Sequence, residues 1–306
     1  MSDQFMQSKA SSESTHDLTP NEENLIEIPK FLYHYTTLDS LACILQSRTI
    51  RLLPLDMLDD HQEKESADLK RAGQFIFVSC WTDDDTESIP MWKMYTDTAS
   101  GVRIRLKTNP FFWFDADSTD VHQLFGALST RIDEIGPVRT LIPIDQMIRT
   151  GCYSHQFIWA GYGARCPPTL LQKIEYTRDT SKLVPRLMEH VDTDVILTLS
   201  LGRYKNEAWR FQSEWRYLIG VIPQIPAISL TNSGKPYDYL MANIALDRVI
   251  SPIRELFLNI SEEFFSEMEI TASPTLTKGN RIILEHLLAA YNPHAVLRNS
   301  ELEETL

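Results

Sequence analysis

Segments with the periodicity of strands and segments with the periodicity of helices are interspersed along this chain without a repeating order. Strands that alternate regularly with helices would indicate a doubly wound parallel sheet, and this chain lacks that alternation. No GxGxxG follows a predicted strand and no GxxxxGK[ST] occurs, so neither glycine-rich phosphate loop is present. The sequence therefore predicts an α+β fold rather than a Rossmann fold.

The predicted elements are mostly short, and they are assigned from apolar periodicity and turn residues. The predicted strands cover 31–35, 50–53, 75–81, 101–106, 138–142, 173–176 and 215–221, with two more near Ile228 and Val249. The predicted helices cover 38–46, 91–95, 121–132, 146–158, 183–190, 195–201, 256–268 and 281–291. Thr36 or Thr37 is expected to cap the first helix, because its hydroxyl can accept from a free amide there.

The chain has 306 residues and a net charge of -13, from 42 Asp and Glu against 29 Lys and Arg. An acidic surface repels phosphate backbones, which disfavours non-specific nucleic-acid binding. Residues 1–25 are polar and acidic and are predicted to form a disordered leader. Residues 26–298 are predicted to form a single α+β domain, followed by a frayed acidic tail at 299–306.

The cellular location is predicted from two kinds of segment that are absent, a signal peptide and a membrane-spanning run. The N-terminal residues carry no basic and apolar blocks of a signal peptide, and no apolar run approaches the roughly 20 residues that cross a bilayer. We therefore expect a cytoplasmic protein without membrane contact.

The four cysteines are widely spaced and form no zinc-binding pattern, so reduced thiols are expected at Cys43, Cys80, Cys152 and Cys166.

The first candidate for chemistry is His34, which lies near the end of a predicted strand and just before a helix. A side chain at such a position faces a cleft, and the free amides of the helix start favour an anionic or polar ligand. The alternative is a histidine that only hydrogen-bonds the turn that follows it.

The second candidate is Glu214, which opens a strand flanked by bulky aromatic residues. A carboxylate with little access to water acts strongly on a positive charge that develops beside it. The alternative is an ion pair with Arg216, Arg210 or Lys205.

The short helix that Pro90 opens carries Trp92 and Tyr95 on one face. Aromatic residues at this spacing can stack on a flat ligand, but they usually belong to the core. We expect core packing for Trp92 and leave both roles open for Tyr95.

Acidic residues are concentrated after the second predicted strand, at Asp59, Asp60, Glu63 and Glu65. A Mg²⁺ site needs carboxylates that converge, whereas neighbouring acids on an exposed segment usually diverge into solvent. We expect the solvated start of a helix here and no metal site.

In the order of its motifs the chain resembles a bacterial family known as domain of unknown function 2971. The motifs are YHYT from Tyr33, RLLPLDMLDD from Arg51, FVSCW from Phe77, MWKMY from Met91, GVRIRL from Gly101 and SEWRYLI from Ser213. That family is similar to ADP-ribosyltransferases of the His-Tyr-Glu type. The resemblance implies an ADP-ribosyltransferase-like fold, with a mixed, mostly antiparallel split sheet and surrounding helices.

The resemblance also implies roles for individual residues. Glu214 would bond the nicotinamide-side ribose of NAD and stabilise its positive charge, and His34 would hold a hydroxyl of the same ribose. The other residues that it assigns to the NAD site are Tyr95 for stacking on nicotinamide, Tyr33 or Tyr35 as its substitutes, Thr36, and Arg51 or Arg103 for the pyrophosphate.

Three functions follow from these residues. The leading hypothesis is transfer of ADP-ribose from NAD to an unknown acceptor macromolecule, in bacterial defence or stress. The second is a non-catalytic nucleotide-binding or protein-interaction module on the same fold, favoured because Tyr35 follows His34 where many His-Tyr-Glu enzymes have glycine. The third is metal-dependent phosphodiester hydrolysis through Asp59, Asp60 and Glu63.

Overall fold

A computed structural model describes residues 27–116, 138–154, 158–160, 170–191, 194–197, 200–223 and 236–303. Strands β1 to β18 cover Phe31–Thr37, Thr49–Pro54, Ile76–Thr82, Gly101–Lys107, Phe114–Ala116, Val138–Thr140, Cys152–Tyr153, Ile158–Ala160, Leu171–Lys173, Glu175–Thr177, Met188–Val191, Asp194–Leu197, Tyr204–Asn206, Glu214–Gly220, Ile222–Pro223, Leu256–Asn259, Glu269–Ala272 and Val296–Arg298. Helices α1 to α7 cover Leu38–Ser47, Ile89–Tyr95, Ile144–Thr150, Thr180–Leu183, Pro236–Ala245, Glu262–Ser266 and Lys278–Tyr291. Short 3-10 helices cover Leu55–Met57, His61–Lys64, Ala72–Phe75 and Glu207–Gln212.

The largest sheet has nine strands in the order β16-β2-β3-β1-β4-β17-β18, with β14 paired to β3 and β9 paired to β14. Every pairing within it is antiparallel except that of β17 with β18. Together with the helices around it, this sheet confirms the predicted α+β class and its mostly antiparallel character.

Strand β3 is shared by two strands along one edge, and this sharing opens the sheet. Strand β1 pairs with β3 at Tyr33 and Thr82, whereas β2 pairs with it at Leu53 with Val78 and at Pro54 with Phe77. Residues 79–81 of β3 lie between the two contacts. Along its other edge β3 pairs with β14 over its whole length. The parting of β1 from β2 creates the cleft described below.

Strand β14 is buried throughout and its alternate residues have different surroundings. Trp215 and Tyr217 belong to the larger apolar core, together with residues of β1, β4 and α1. Leu218 belongs to a second, smaller core with Val78 of β3. Because side chains alternate across a strand, Glu214 shares a face with Leu218 and points away from the larger core.

Helix α1 begins where the sequence predicts. The Thr37 hydroxyl accepts a hydrogen bond from the Ser40 amide, an N-cap worth about 1 kcal/mol. Leu38, Leu41 and Leu45 recur at helical spacing and are buried in the larger core. This anchors α1 directly after β1, four residues beyond His34.

Two predicted helices between residues 183 and 201 are wrong. The helix predicted at 183–190 ends at Leu183, because Pro185 cannot continue it, and Met188–Val191 is a strand. The predicted helix at 195–201 falls on Asp194–Leu197, a strand that pairs antiparallel with Met188–Val191. Apolar runs as short as these are compatible with either a helix or a strand, and here strand pairing determines the structure.

Two further predicted helices are shorter than expected. The helix predicted at 146–158 ends at Thr150, because Gly151 adopts a left-handed conformation that closes it. The helix predicted at 256–268 is a strand, Leu256–Asn259, followed by the helix Glu262–Ser266. The strand buries Leu256 and Leu258 alternately, which is a period of two.

Among the described residues, the remaining predicted elements are matched within a few residues, with one exception. The strand predicted near Val249 is absent, since residues 248–250 are irregular. The predictions for the leader, the helix at 121–132, the strand near Ile228 and the thiol of Cys166 lie outside the described residues. In the part of the chain that the structure describes, no helix has the length and apolar character needed to cross a membrane.

Candidate functional site

His34, Tyr95 and Glu214 line one small cavity, although they lie far apart in the sequence. The cavity has a volume of about 160 Å³ and is bounded by β1, β3, β14, helix α2 and the 3-10 segments around residues 58–63 and 207–212. The strand register brings His34 and Glu214 close together. Thr82 of β3 pairs with Tyr33 of β1 on one side and with Glu214 of β14 on the other. His34 is the next residue after Tyr33.

A larger cleft adjoins this cavity and has a volume of about 550 Å³. It occupies the gap between β1 and β2, with α1 along one side and residues 78–81 of β3 within it. The residues that line both spaces are His34, Leu58, Asp59, Cys80, Trp81 and Tyr95. We call the two spaces the inner cavity and the outer cleft. A ligand that fills both passes His34 and Tyr95.

His34 is held by the backbone of β3. Its Nδ1 lies 2.8 Å from the carbonyl oxygen of Cys80, and its ring lies 5.0 Å from that of Trp81. Because a carbonyl can only accept, Nδ1 carries the proton and Nε2 remains an acceptor. Burial and the positive charge of Arg51 lower the pKa of His34, although the Cys80 carbonyl opposes this. The histidine is therefore neutral at neutral pH and does not bond the following turn.

Glu214 belongs to a buried cluster of four charges. Its carboxylate lies 2.6 Å from Arg216 Nε and 3.0 Å from Lys205 Nζ. The Glu63 carboxylate lies 3.0 Å from Lys205 Nζ and 2.6 Å from Arg216 Nη2, without good hydrogen-bond alignment. All four residues are less than a tenth exposed. We call these residues the charge cluster; its two acids and two cations sum to zero.

The charge cluster keeps Glu214 ionised. Burial alone would raise the pKa of Glu214, but Arg216 and Lys205 outweigh it and lower that pKa to about 2. Burial would likewise lower the pKa of Lys205, and the carboxylates of Glu214 and Glu63 raise it instead. The predicted alternative of an ion pair is thus present, with Arg216 and Lys205 as partners. Arg210 bonds Glu207 instead.

Tyr95 lines both spaces and is linked to the charge cluster through Gln212. Gln212 donates from its amide to the Tyr95 hydroxyl and accepts from Lys205 Nζ at 2.8 Å. Burial raises the pKa of Tyr95 to about 12, with smaller opposing effects of Lys205 and Glu214, so the phenol is neutral. Its neighbour Trp92 is fully buried, as expected of a core residue.

Helix α2, which carries Tyr95, is held from the C-terminal end of the chain. The Glu87 carboxylate accepts from Trp92 Nε1 at 2.9 Å, from the Ser300 hydroxyl at 2.5 Å and from the Glu301 amide at 2.8 Å. Ser300 is buried. These residues of the predicted tail therefore contact the element that forms one wall of the inner cavity.

The other residues assigned from the sequence are divided between the site and its surroundings. Tyr35 lines the inner cavity, and Thr36 and Arg51 line the outer cleft. Tyr33 and Arg103 line neither space. The Arg103 guanidinium stacks over the Tyr33 ring at 4.8 Å and donates to the Asp85 carbonyl at 3.0 Å. Arg103 therefore fastens β4 to the loop after β3 rather than facing a ligand.

The acidic segment is solvated at Asp59 and Glu65, as expected, but not at Glu63. Asp59, Asp60 and Glu63 all line the inner cavity, and Glu63 is 4% exposed. Asp60 caps the 3-10 helix through its Oδ1, which accepts from the Gln62 amide. Among the residues that the structure describes, no group of three or more His, Cys, Asp or Glu is placed to hold a metal ion.

Gln212 and Cys80 were given no functional role from the sequence, and Glu63 was considered only for metal-dependent hydrolysis. A signal for Glu63 exists, because two charged residues, Glu214 and Arg216, share one face of an otherwise apolar strand. A strand of this kind is buried, and buried charges require partners of opposite sign. Burial and the nearby Glu214 raise the pKa of the Cys80 thiol, so it is protonated and a poor nucleophile.

Comparisons with protein-family models, with curated proteins and with solved structures find no match to this chain. The resemblance to the bacterial family and to His-Tyr-Glu enzymes therefore stays a prediction, and function has to be argued from the site itself.

Proposed function

We propose that this protein is an NAD-dependent ADP-ribosyltransferase with an ADP-ribosyltransferase-like fold. The observation that supports it is the convergence of His34, Tyr95 and Glu214 on the inner cavity, which adjoins a cleft large enough for the rest of a dinucleotide. The inner cavity alone is too small for NAD, so the proposal places nicotinamide and its ribose inside and the remainder in the outer cleft.

The reaction breaks the bond between ribose C1′ and the nicotinamide nitrogen. Nicotinamide leaves with the bonding electrons, and positive charge develops on the ribose, as in glycoside hydrolysis. An acceptor nucleophile then bonds to C1′ and loses its proton. His34 Nε2 accepts from a ribose hydroxyl and orients the sugar. Glu214 accepts from the same sugar and stabilises its developing charge.

Glu63 has a supporting role in this proposal. Lys205 and Arg216 hold Glu214 in place, but by themselves they would leave an excess positive charge beside a cationic transition state. The second carboxylate restores neutrality to the charge cluster. The cluster therefore positions Glu214 without repelling the charge that Glu214 has to stabilise.

The test is incubation of the purified protein with NAD labelled on its adenylate phosphate and with cell extract. Glu214→Gln keeps the size of the side chain but removes its charge, and we expect nicotinamide release and label transfer to fall by roughly 100-fold to 1000-fold. Glu207→Gln, on the neighbouring 3-10 helix, serves as a matched control because Glu207 pairs, among the residues that the structure describes, with exposed Arg210 alone. Activity that is absent, or equal in the two variants, would reject the proposal.

A second function is a nucleotide-binding module without turnover. Two observations favour it: Arg216 and Lys205 already occupy the Glu214 carboxylate, and Tyr35 stands where glycine follows the histidine in many His-Tyr-Glu enzymes. Calorimetry separates the two functions, since NAD binding with no nicotinamide release supports the module.

A further inference from the structure

The wall of the outer cleft farthest from β1 carries a paired cation and aromatic ring. Arg51 of β2 and Phe257 of β16 lie directly opposite each other in the antiparallel register. Residues paired in this way present their side chains on the same face, with Cβ atoms about 5 Å apart. Both side chains line the outer cleft. The strand order places β16 beyond β2, on the opposite side of the cleft from His34.

Arg51 is the one Lys or Arg among the described residues that line the outer cleft. It is exposed, and its guanidinium forms no ion pair with another described residue. After burial, the charge of Arg51 also contributes to the lowered pKa of His34. A guanidinium with free donors is suited to a phosphate group.

Phe257 is 40% exposed, in a strand whose neighbours Leu256 and Leu258 are buried. Its ring stacks on no other aromatic ring of the described chain. Met57, which is 48% exposed, lines the same cleft. A free aromatic face beside a free guanidinium fits a ligand that joins a flat ring to a phosphate, which is the chemistry of a nucleotide.

We propose that Arg51 and Phe257 form the subsite for the adenylate half of the ligand, with the adenine base stacked on Phe257 and its phosphate bonded to Arg51. This subsite rests on the proposed function for the identity of the base. Asp39 and Asp59 line the same cleft and offset part of the Arg51 charge. Stacking therefore supplies the larger share of the affinity and the phosphate contact the smaller.

The probe is AMP, and its binding to the full-length protein is measured by titration calorimetry. Phe257→Ala weakens AMP binding by about tenfold or more, within the range for loss of one stacked base, and Phe257→Tyr, which keeps the ring, stays within about twofold of wild type. Arg51→Ala weakens it by about threefold. Phe112→Ala is the matched control, since Phe112 is 44% exposed and lies outside both spaces, and it leaves AMP binding unchanged.

Failure of AMP to bind, or equal binding by wild type and Phe257→Ala, overturns the subsite. The nicotinamide-release assay is independent of this result. If Phe257 is required for AMP binding while NAD is not cleaved, the subsite stands and the transferase proposal falls. If NAD is cleaved while AMP binding does not depend on Phe257, the transferase stands and the subsite is wrong.

Discussion

The inner cavity and the outer cleft meet at His34 and Tyr95, but their charged side chains differ in burial and in ion pairing. In the inner cavity Lys205, Glu214 and Arg216 are buried and paired, with distances of 2.6 and 3.0 Å. In the outer cleft the one cation, Arg51, is exposed and unpaired among the described residues. The first arrangement is fixed before any ligand arrives, and the second is free to adapt to one.

We expect the inner cavity to carry the chemistry and the outer cleft to supply the affinity. Fixed charges suit catalysis, because they need no reorganisation when charge develops in the transition state. Buried charges are costly to desolvate and add little net stability, so the cluster is weak support for the fold by itself. Once built, however, none of its members can be removed without leaving a charge that lacks its partner.

The largest effect is expected from Arg216→Met in the charge cluster. It leaves both Glu63 and Glu214 short of a cation while they remain buried, and we expect the free energy of unfolding in urea to fall by about 3–5 kcal/mol. The matched control is Arg254→Met, which removes an exposed partner 3.2 Å from Asp56 and should cost less than about 1 kcal/mol. Equal losses in the two variants would contradict the buried cluster.

Acid tests the same cluster without changing its residues. The pKa of Glu214 is lowered from 4.5 to about 2, so its ionised form stabilises the fold above pH 4.5, and that contribution is lost as pH falls through about 2. Urea unfolding of the wild type is therefore expected to lose free energy more steeply between these pH values than unfolding of Glu214→Gln. Parallel curves would show that Glu214 does not gain its partners on folding.

The smallest effect concerns Tyr95, which borders both spaces. If its ring stacks on nicotinamide, Tyr95→Ala weakens binding of an NAD analogue with an uncleavable glycosidic bond by about tenfold. Tyr95→Phe keeps the ring, loses only the bond from Gln212, and stays within about threefold of wild type. Calorimetry provides the measurement. A similar loss in both variants would assign the role to the hydroxyl instead of the ring.

Secondary structure is predicted best from the sequence where one apolar period, or a helix cap, occurs without a competing pattern. Strands β1, β3, β4 and β14 carry long apolar or alternating runs, and α1 has both a cap and a helical stripe. Prediction fails at 195–201 and 256–268, where a few apolar residues fit either period. Pairing decides the outcome, with a neighbouring strand in the first case and with a distant strand in the second. The parting of β1 from β2 depends on tertiary register and has no local sequence signal.

Some residues of the site could likewise be predicted from the sequence, and others could not. Glu214 is recognisable because it opens a strand. His34 was predicted to end one, but β1 continues to Thr37 and His34 lies within it. The structure nevertheless brings both residues to one cavity. Arg103 was misplaced because an alternating strand does not reveal which cations stack on neighbouring rings. Glu63 was read as solvated because its acidic neighbours suggest exposure, whereas its burial depends on Arg216, more than a hundred residues away.

A crystal structure with the uncleavable NAD analogue bound tests most directly whether His34 and Glu214 hold one ribose. We predict that the nicotinamide-side ribose lies within hydrogen-bond distance of both His34 Nε2 and the Glu214 carboxylate, with the remainder of the analogue in the outer cleft. An analogue bound elsewhere, or a ribose that contacts neither side chain while the charge cluster stays closed, would contradict it.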